Sequence, residues 1–126
     1  MRILGIDFGE AKIGLAISEG DLAEPLGIIG VRDWESQIRR ICQEQKIEKI
    51  VVGISEGEMA EKTKKFAVEL GKAINLPVEL QDETLTTSEA VAKMREIGKK
   101  IKDEDAISAA LILQAYLDTQ SRKTPS

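Results

Sequence analysis

The 126 residues of this chain fit one ordinary domain, which at that length buries about two-thirds of its unfolded surface and needs no disulfide or structural metal to fold. With 42% apolar and 32% charged residues, three prolines and ten glycines, the composition excludes a disordered or repetitive chain, and a net charge of −4 argues against broad, charge-driven coating of DNA or RNA. The absence of histidine removes Ser/His/Asp and Cys/His nucleophilic schemes and every histidine zinc site, so any catalysis must use carboxylates, lysines or the backbone.

Residues 2 to 8 (RILGIDF) are rich in branched apolar side chains and broken by Gly9, which predicts a buried strand with Asp7 at its exit. Residues 12 to 18 (KIGLAIS) follow after a short turn and set Ile13, Leu15 and Ile17 on one face, so the two strands form a hairpin. After Gly20 and Pro25, residues 26 to 31 (LGIIGV) make a third strand, and an antiparallel meander opens the chain. Asp33 is placed to cap a helix over 34 to 46, where Trp34, Ile38, Ile41 and Cys42 recur at spacings of three and four. The apolar run 49 to 54 (KIVVGI) suits a central strand buried on both sides and ended by Gly53. A helix over 58 to 74 turns Phe66, Leu70, Ala73 and Ile74 inward and leaves Lys62, Lys64, Lys65 and Glu69 in solvent.

Pro77 opens a strand over 77 to 81 (PVELQ). Thr86 with Glu89 three residues later is a capping box that starts a helix running to Ile97, and Gly98 ends it. Residues 104 to 118 are apolar around most of the circumference, which predicts the most buried helix, with Asp105 in its first turn. The element order, with the later strands parallel to the first through right-handed crossovers, predicts an α/β fold. Its five-stranded mixed sheet has three antiparallel strands and then two parallel ones, with helices on both faces. Residues 1–120 read as a single domain, followed by a flexible C-terminal tail over 121–126. One cysteine, no charged start leading into an apolar run, and no apolar stretch near the roughly 18 residues of a membrane span predict a cytoplasmic protein without a membrane partner.

In an open α/β sheet, ligands gather beyond the carboxyl ends of the parallel strands. Asp7 closes the first strand, Asp82 and Glu83 follow the last, and Asp105 begins a helix that can pack across the same edge. Three such anions resist simultaneous ionisation unless a cation joins them, and Mg2+ or Mn2+ takes carboxylate, water and phosphate oxygens. A pair of such ions about 4 Å apart would activate a water and stabilise the leaving oxygen of a phosphodiester. Each acid also has a plainer reading. Asp105 meets the helix dipole favourably, by roughly 0.3 to 1 kcal/mol, and on position alone that is the simpler account. Asp82 and Glu83 can be solvated turn residues ahead of the Thr86 cap, and spacing does not choose between them. Asp7 is hardest to explain that way, because a carboxylate ending a buried apolar strand needs partners to offset its desolvation.

The segments GIDFGEAKIGLAIS, KIVVGI, DETLTT and DAISAALILQAYLD, in that order and spacing, resemble the YqgF family, described as Holliday junction resolvases and as nucleases that mature small-subunit ribosomal RNA precursors. The likeness covers nearly the whole chain. It implies a ribonuclease H-like fold, a metal-dependent nuclease, and a nucleic-acid substrate that is either the 5′ end of pre-16S rRNA or branched DNA. It also implies Asp7, Glu83 and Asp105 as the catalytic metal ligands, holding Mg2+ or Mn2+.

The chain departs from the family pattern in several places. Thr84 stands where the family has Arg, which removes a cation able to contact phosphate. Glu10 stands where a Thr is common and adds negative charge near the site, and Ala11 and Lys12 replace a Lys-Arg pair. The loop after Val-Val-Gly is cut to Ser55-Glu56-Gly57, and the basic loop before Asp105 is short. Lys93, Arg95, Lys99, Lys100 and Lys102, together with Lys12, are candidates to hold a nucleic-acid strand, the alternative being an ordinary solvated helix end. Lys62, Lys64 and Lys65 read as solvent face, and Trp34 and Tyr116 as packing.

Two rival functions follow from the same residues. One keeps the fold without catalysis, as a nucleic-acid- or protein-binding module. The other is a nucleotide-binding domain of the actin and sugar-kinase type, suggested by GIDFG, which needs two domains around ATP and would set Glu10 against phosphate. Monomer and homodimer are both compatible with the sequence.

Overall fold

The computed structural model describes residues 1–54, 57–82 and 104–123, with side chains in the last stretch from 106 to 120. Its elements are β1 (Arg2–Phe8), β2 (Lys12–Glu19), β3 (Ala23–Gly30), α1 (Trp34–Glu44), β4 (Lys49–Ile54), α2 (Met59–Ile74), β5 (Val78–Asp82) and α3 (Glu104–Lys123). The five strands form one sheet in the order β3-β2-β1-β4-β5. β1 pairs antiparallel with β2 and β2 with β3, while β1–β4 and β4–β5 are parallel. The mixed sheet read from the sequence is therefore the one observed, with β1 at its centre.

Alternation along the strands divides the core into two layers. Leu4 and Ile6 of β1, Ile13 and Leu15 of β2, and Ile50 and Val52 of β4 face Ile38 and Cys42 of α1 and Phe66 and Leu70 of α2. Ile3, Ala16 and Val51 face the other way, onto Ala109, Ala110, Ile112 and Leu113 of α3. Both faces of β4 are thus buried, which is why its sequence is a continuous apolar run rather than an alternating one.

Glycines on the strands and alanines on α3 bring the helix close to the sheet. A β-carbon on Gly5 would stand 2.7 Å from Leu113 Cβ and 3.1 Å from the Ala109 carbonyl oxygen, and one on Gly53 would strike the Ile112 side chain. Glycine at these two positions lets the helix lie directly on β1 and β4. The C-terminal half of α3 is then fixed by polar contacts. Gln114 accepts from the Ala23 N–H at 2.9 Å and donates to the Asp21 carbonyl at 2.9 Å and to Asp118 Oδ1 at 3.0 Å. Lys49 Nζ donates to the Tyr116 hydroxyl at 2.8 Å and pairs with Glu79 at 3.2 Å.

Several element boundaries differ from the sequence reading. β3 begins at Ala23 rather than 26, so Pro25 lies inside it. Because β3 is an edge strand of this sheet, a residue without an N–H is tolerated there. Leu15 pairs with Gly27 and Ala16 with Pro25, leaving Leu26 as the extra residue of a bulge. Helix α1 stops at Glu44, two residues early, and α3 continues to Lys123, five residues beyond the expected end at 118. Asp33 does occupy the N-cap position but makes no side-chain cap bond; its backbone is left-handed (φ 58°) and its carboxylate accepts from Ser36 Oγ at 2.6 Å. The helix expected over 86 to 97 lies outside the described residues.

Candidate active site

The carboxyl ends of β1, β4 and β5 lie along one edge of the sheet. Ile6 pairs with Val52 and Val52 with Leu80, so the next residues outward, Asp7, Gly53 and Gln81, form the next-to-last row, with Phe8, Ile54 and Asp82 beyond them at the edge. Alternation puts Asp7 on the same face as Ile3 and Gly5, which is the α3 face. Gly53 and Gln81 share that face, and Gln81 is buried at 6% exposure. Asp7 itself is half-buried.

Aromatic packing on the opposite face holds the end of β1 in place. The Phe8 and Phe66 rings stack with centroids 4.3 Å apart, and Trp34 meets Phe66 edge-on at 5.0 Å. Trp34 is therefore a packing residue, and so is Tyr116, which is buried and bonded to Lys49. Burial of the α1 core also pushes the Cys42 thiol up to about 11, which keeps it a protonated, inert core group.

α3 runs antiparallel to β1 and β4: Tyr116 meets Lys49 at the start of β4, whereas Ile112 lies over Gly53 near its end. The helix backbone therefore carries residue 105, one turn before Ala109, toward the Asp7 end of β1. Asp82 goes the other way. It shares the face of Val78, which packs into the α1/α2 layer, and so it is turned away from α3 and from the Asp7 face. Glu83, the residue after β5, lies outside the described residues, as do Thr84, Lys93, Arg95, Lys99, Lys100 and Lys102. Lys12 is exposed at the start of β2, beside the turn that follows Asp7.

Among the described residues no group of three His, Cys, Asp or Glu side chains stands ready to hold a metal ion. Asp7 contributes one oxygen donor at this edge, and the Gly5 and Gly53 gaps bring the helix bearing Asp105 close to it. A carboxylate donor in a chain with no histidine and with its one cysteine buried has the hard-oxygen character that Mg2+ or Mn2+ requires, so Asp7 fits as one ligand to such an ion. Sequence reasoning missed two features here. Gln81 is buried on the Asp7 face, which strand spacing alone does not announce, and Lys62, in solvent as expected, also donates to Glu10 Oε1 at 3.1 Å.

This architecture is that of the RuvC-type, ribonuclease H-like resolvases. The structure of Thermus thermophilus RuvC in complex with Holliday junction substrate superimposes with a TM-score of 0.62, covering 94% of this chain and 96% of that one at 15% identity. The fowlpox virus Holliday junction resolvase gives the same TM-score at 14% identity over 95% of this chain and 99% of the other. At sequence level the chain belongs to the RuvX family, described as Holliday junction resolvase, whose model matches residues 1–119. Among its relatives, proteins provisionally named pre-16S rRNA nuclease from Anaeromyxobacter sp. and Thermosynechococcus vestitus are 40% and 38% identical. The first alignment spans 94% of this chain and 97% of the relative, the second 97% and 91%. A match over nearly the whole chain leaves the kinase-type reading no segment of its own. No helix among the described residues is long and apolar enough to cross a membrane.

Proposed function

We propose that the protein is a divalent-metal-dependent nuclease that hydrolyses phosphodiester bonds, acting in the cytoplasm on precursor 16S rRNA or on branched DNA. The observation that carries this reading is the position of Asp7, a half-buried carboxylate at the exit of the central strand on the α3 face, in a chain that matches the RuvX family throughout. Glu83 and Asp105 are its proposed partners as catalytic metal ligands. Family membership and the length of α3, which begins at Glu104, support that choice.

Mg2+ or Mn2+ bound there would supply a Lewis acid that lowers the pKa of an attacking water and neutralises charge on the phosphate. Asp7 would be one of the residues holding the ion, and the Phe8–Phe66 stack behind β1 keeps the strand end that carries it in place. Close packing of α3 at Gly5 limits the movement of the helix that brings Asp105. Lys12, exposed at the start of β2, is a proposed phosphate contact on the described edge, and Lys99, Lys100 and Lys102 are proposed as further ones. RNA is the preferred substrate because the relatives named above carry that assignment.

The test is cleavage of an end-labelled pre-16S rRNA fragment and of a synthetic four-way junction with Mg2+, with Mn2+ and with EDTA. Cleavage that requires the metal and disappears in Asp7→Asn is expected. Equal activity in EDTA would exclude the mechanism. Nucleic-acid binding without cleavage under every metal condition would favour the non-catalytic binding module instead.

A further inference from the structure

The turn after β1 carries a second charged device. Lys62, in the first turns of α2, reaches Glu10 in the β1–β2 turn, with Nζ donating to Oε1 at 3.1 Å. The pair joins residues 52 apart in the chain and is open to solvent, with side-chain exposures of 62% and 71%. An exposed pair of this kind contributes little to stability, so the fold does not require it. Its position matters more. Glu10 is three residues beyond Asp7, at the edge where a phosphodiester would have to lie.

Two other cations mark the same edge. Lys12 starts β2, and Arg32 follows β3, where the Val31 N–H donates to the Ala11 carbonyl at 3.1 Å and ties the two turns together. Both are exposed, and neither is in an ion pair among the described residues. Of the nearby acids, Asp33 is engaged by Ser36 and Glu58 is exposed at the start of α2. Among the described residues, Lys62 is therefore the cation of this edge whose charge is already matched, and Glu10 is the group that matches it.

We infer that Lys62 is a phosphate-positioning residue for the nucleic acid and that Glu10 is its competitor, holding the ammonium until a backbone phosphate displaces the carboxylate. The inference rests on the nuclease reading of this edge and extends it to substrate affinity. In a protein of net charge −4, a cation whose charge is partly masked by a weak, exchangeable carboxylate partner adds to the hold on a correctly seated strand while leaving loose, non-specific attraction weak.

Anisotropy of a short fluorescent single-stranded RNA, titrated with the full chain in EDTA over a range of KCl, tests this without cleavage. Lys62→Ala should weaken binding several-fold and reduce the slope of log K against log salt by about 0.7, one single-strand phosphate contact, and Lys62→Arg should restore both. Glu10→Gln should tighten binding several-fold, and that gain should largely vanish when Lys62→Ala is also present. Unchanged affinity and slope in Lys62→Ala would overturn the inference, as would a Glu10→Gln gain that is the same with and without Lys62. A protein that cleaves with metal but shows either of these results loses this inference alone. One that shows the expected binding but never cleaves loses the nuclease reading alone.

Discussion

Gly5 and Leu113 approach so closely that any side chain on the glycine would occupy the space of the leucine Cβ, at 2.7 Å. The contact is between a central strand and the backbone-proximal part of a helix, neither of which can turn aside. Gly5→Ala is therefore expected to cost about 1–3 kcal/mol, the usual range for an overfilled core, and to lift α3 from the Asp7 end of the sheet. Urea denaturation checks it: the midpoint should fall with the m-value unchanged. Gly53→Ala should cost a similar amount, because its Cβ would meet both γ carbons of Ile112 as well as the tip, and Ile112 is a buried β-branched side chain with little rotamer freedom.

Gln114 holds α3 along its axis by accepting from Ala23 and donating to Asp21. Gln114→Leu keeps the volume but strands a buried N–H and a carbonyl, at a cost of about 1–3 kcal/mol. Gln114→Glu preserves the acceptor toward Ala23 while turning a carboxylate on the Asp21 carbonyl and on Asp118, so it should be no better than Leu. A thermal melt of the three proteins compares them; a Glu variant as stable as wild type would show that the bond to Asp21 is dispensable.

Alkaline pH should unfold the protein in a defined window. Burial raises the Cys42 thiol from 9.0 to about 11, so the unfolded chain ionises first. A raised folded-state pKa contributes stability that is complete below 9.0 and is lost as pH climbs to about 11. Tyr116, raised by burial, and Lys49, raised by its hydrogen bond to Tyr116, shift in the same direction and add to the loss at the upper end. Chemical denaturation at pH steps from 8 upward should show stability falling through this window. In Cys42→Ala, lower overall for its lost packing, the early part of that fall should be flattened.

Much of this architecture is legible in the sequence because the periodicities are clean. Trp34, Ile38, Ile41 and Cys42 at helical spacing, and the unbroken KIVVGI run, each admit one element type. The start of β3 was hidden because Pro25 reads as punctuation unless the strand is known to be an edge. The geometry of the Asp33 cap was hidden because a left-handed backbone at Asp is not encoded by spacing. At the candidate site, Asp7 stands out as a carboxylate ending an apolar strand, but its face follows only from the register with β4 and the packing of Gly5. The same register argues against Asp82, a choice that sequence spacing leaves open. The Glu10–Lys62 pair joins distant segments, and no local pattern announces it.

Crystals grown with Mn2+ and examined by anomalous scattering test the central idea most directly, since the peak locates the ion and its donors together. Density bounded by Asp7, Glu83 and Asp105, and lost in Asp7→Asn, is the predicted result. A manganese peak that ignores Asp7, or that persists unchanged in Asp7→Asn, would contradict it.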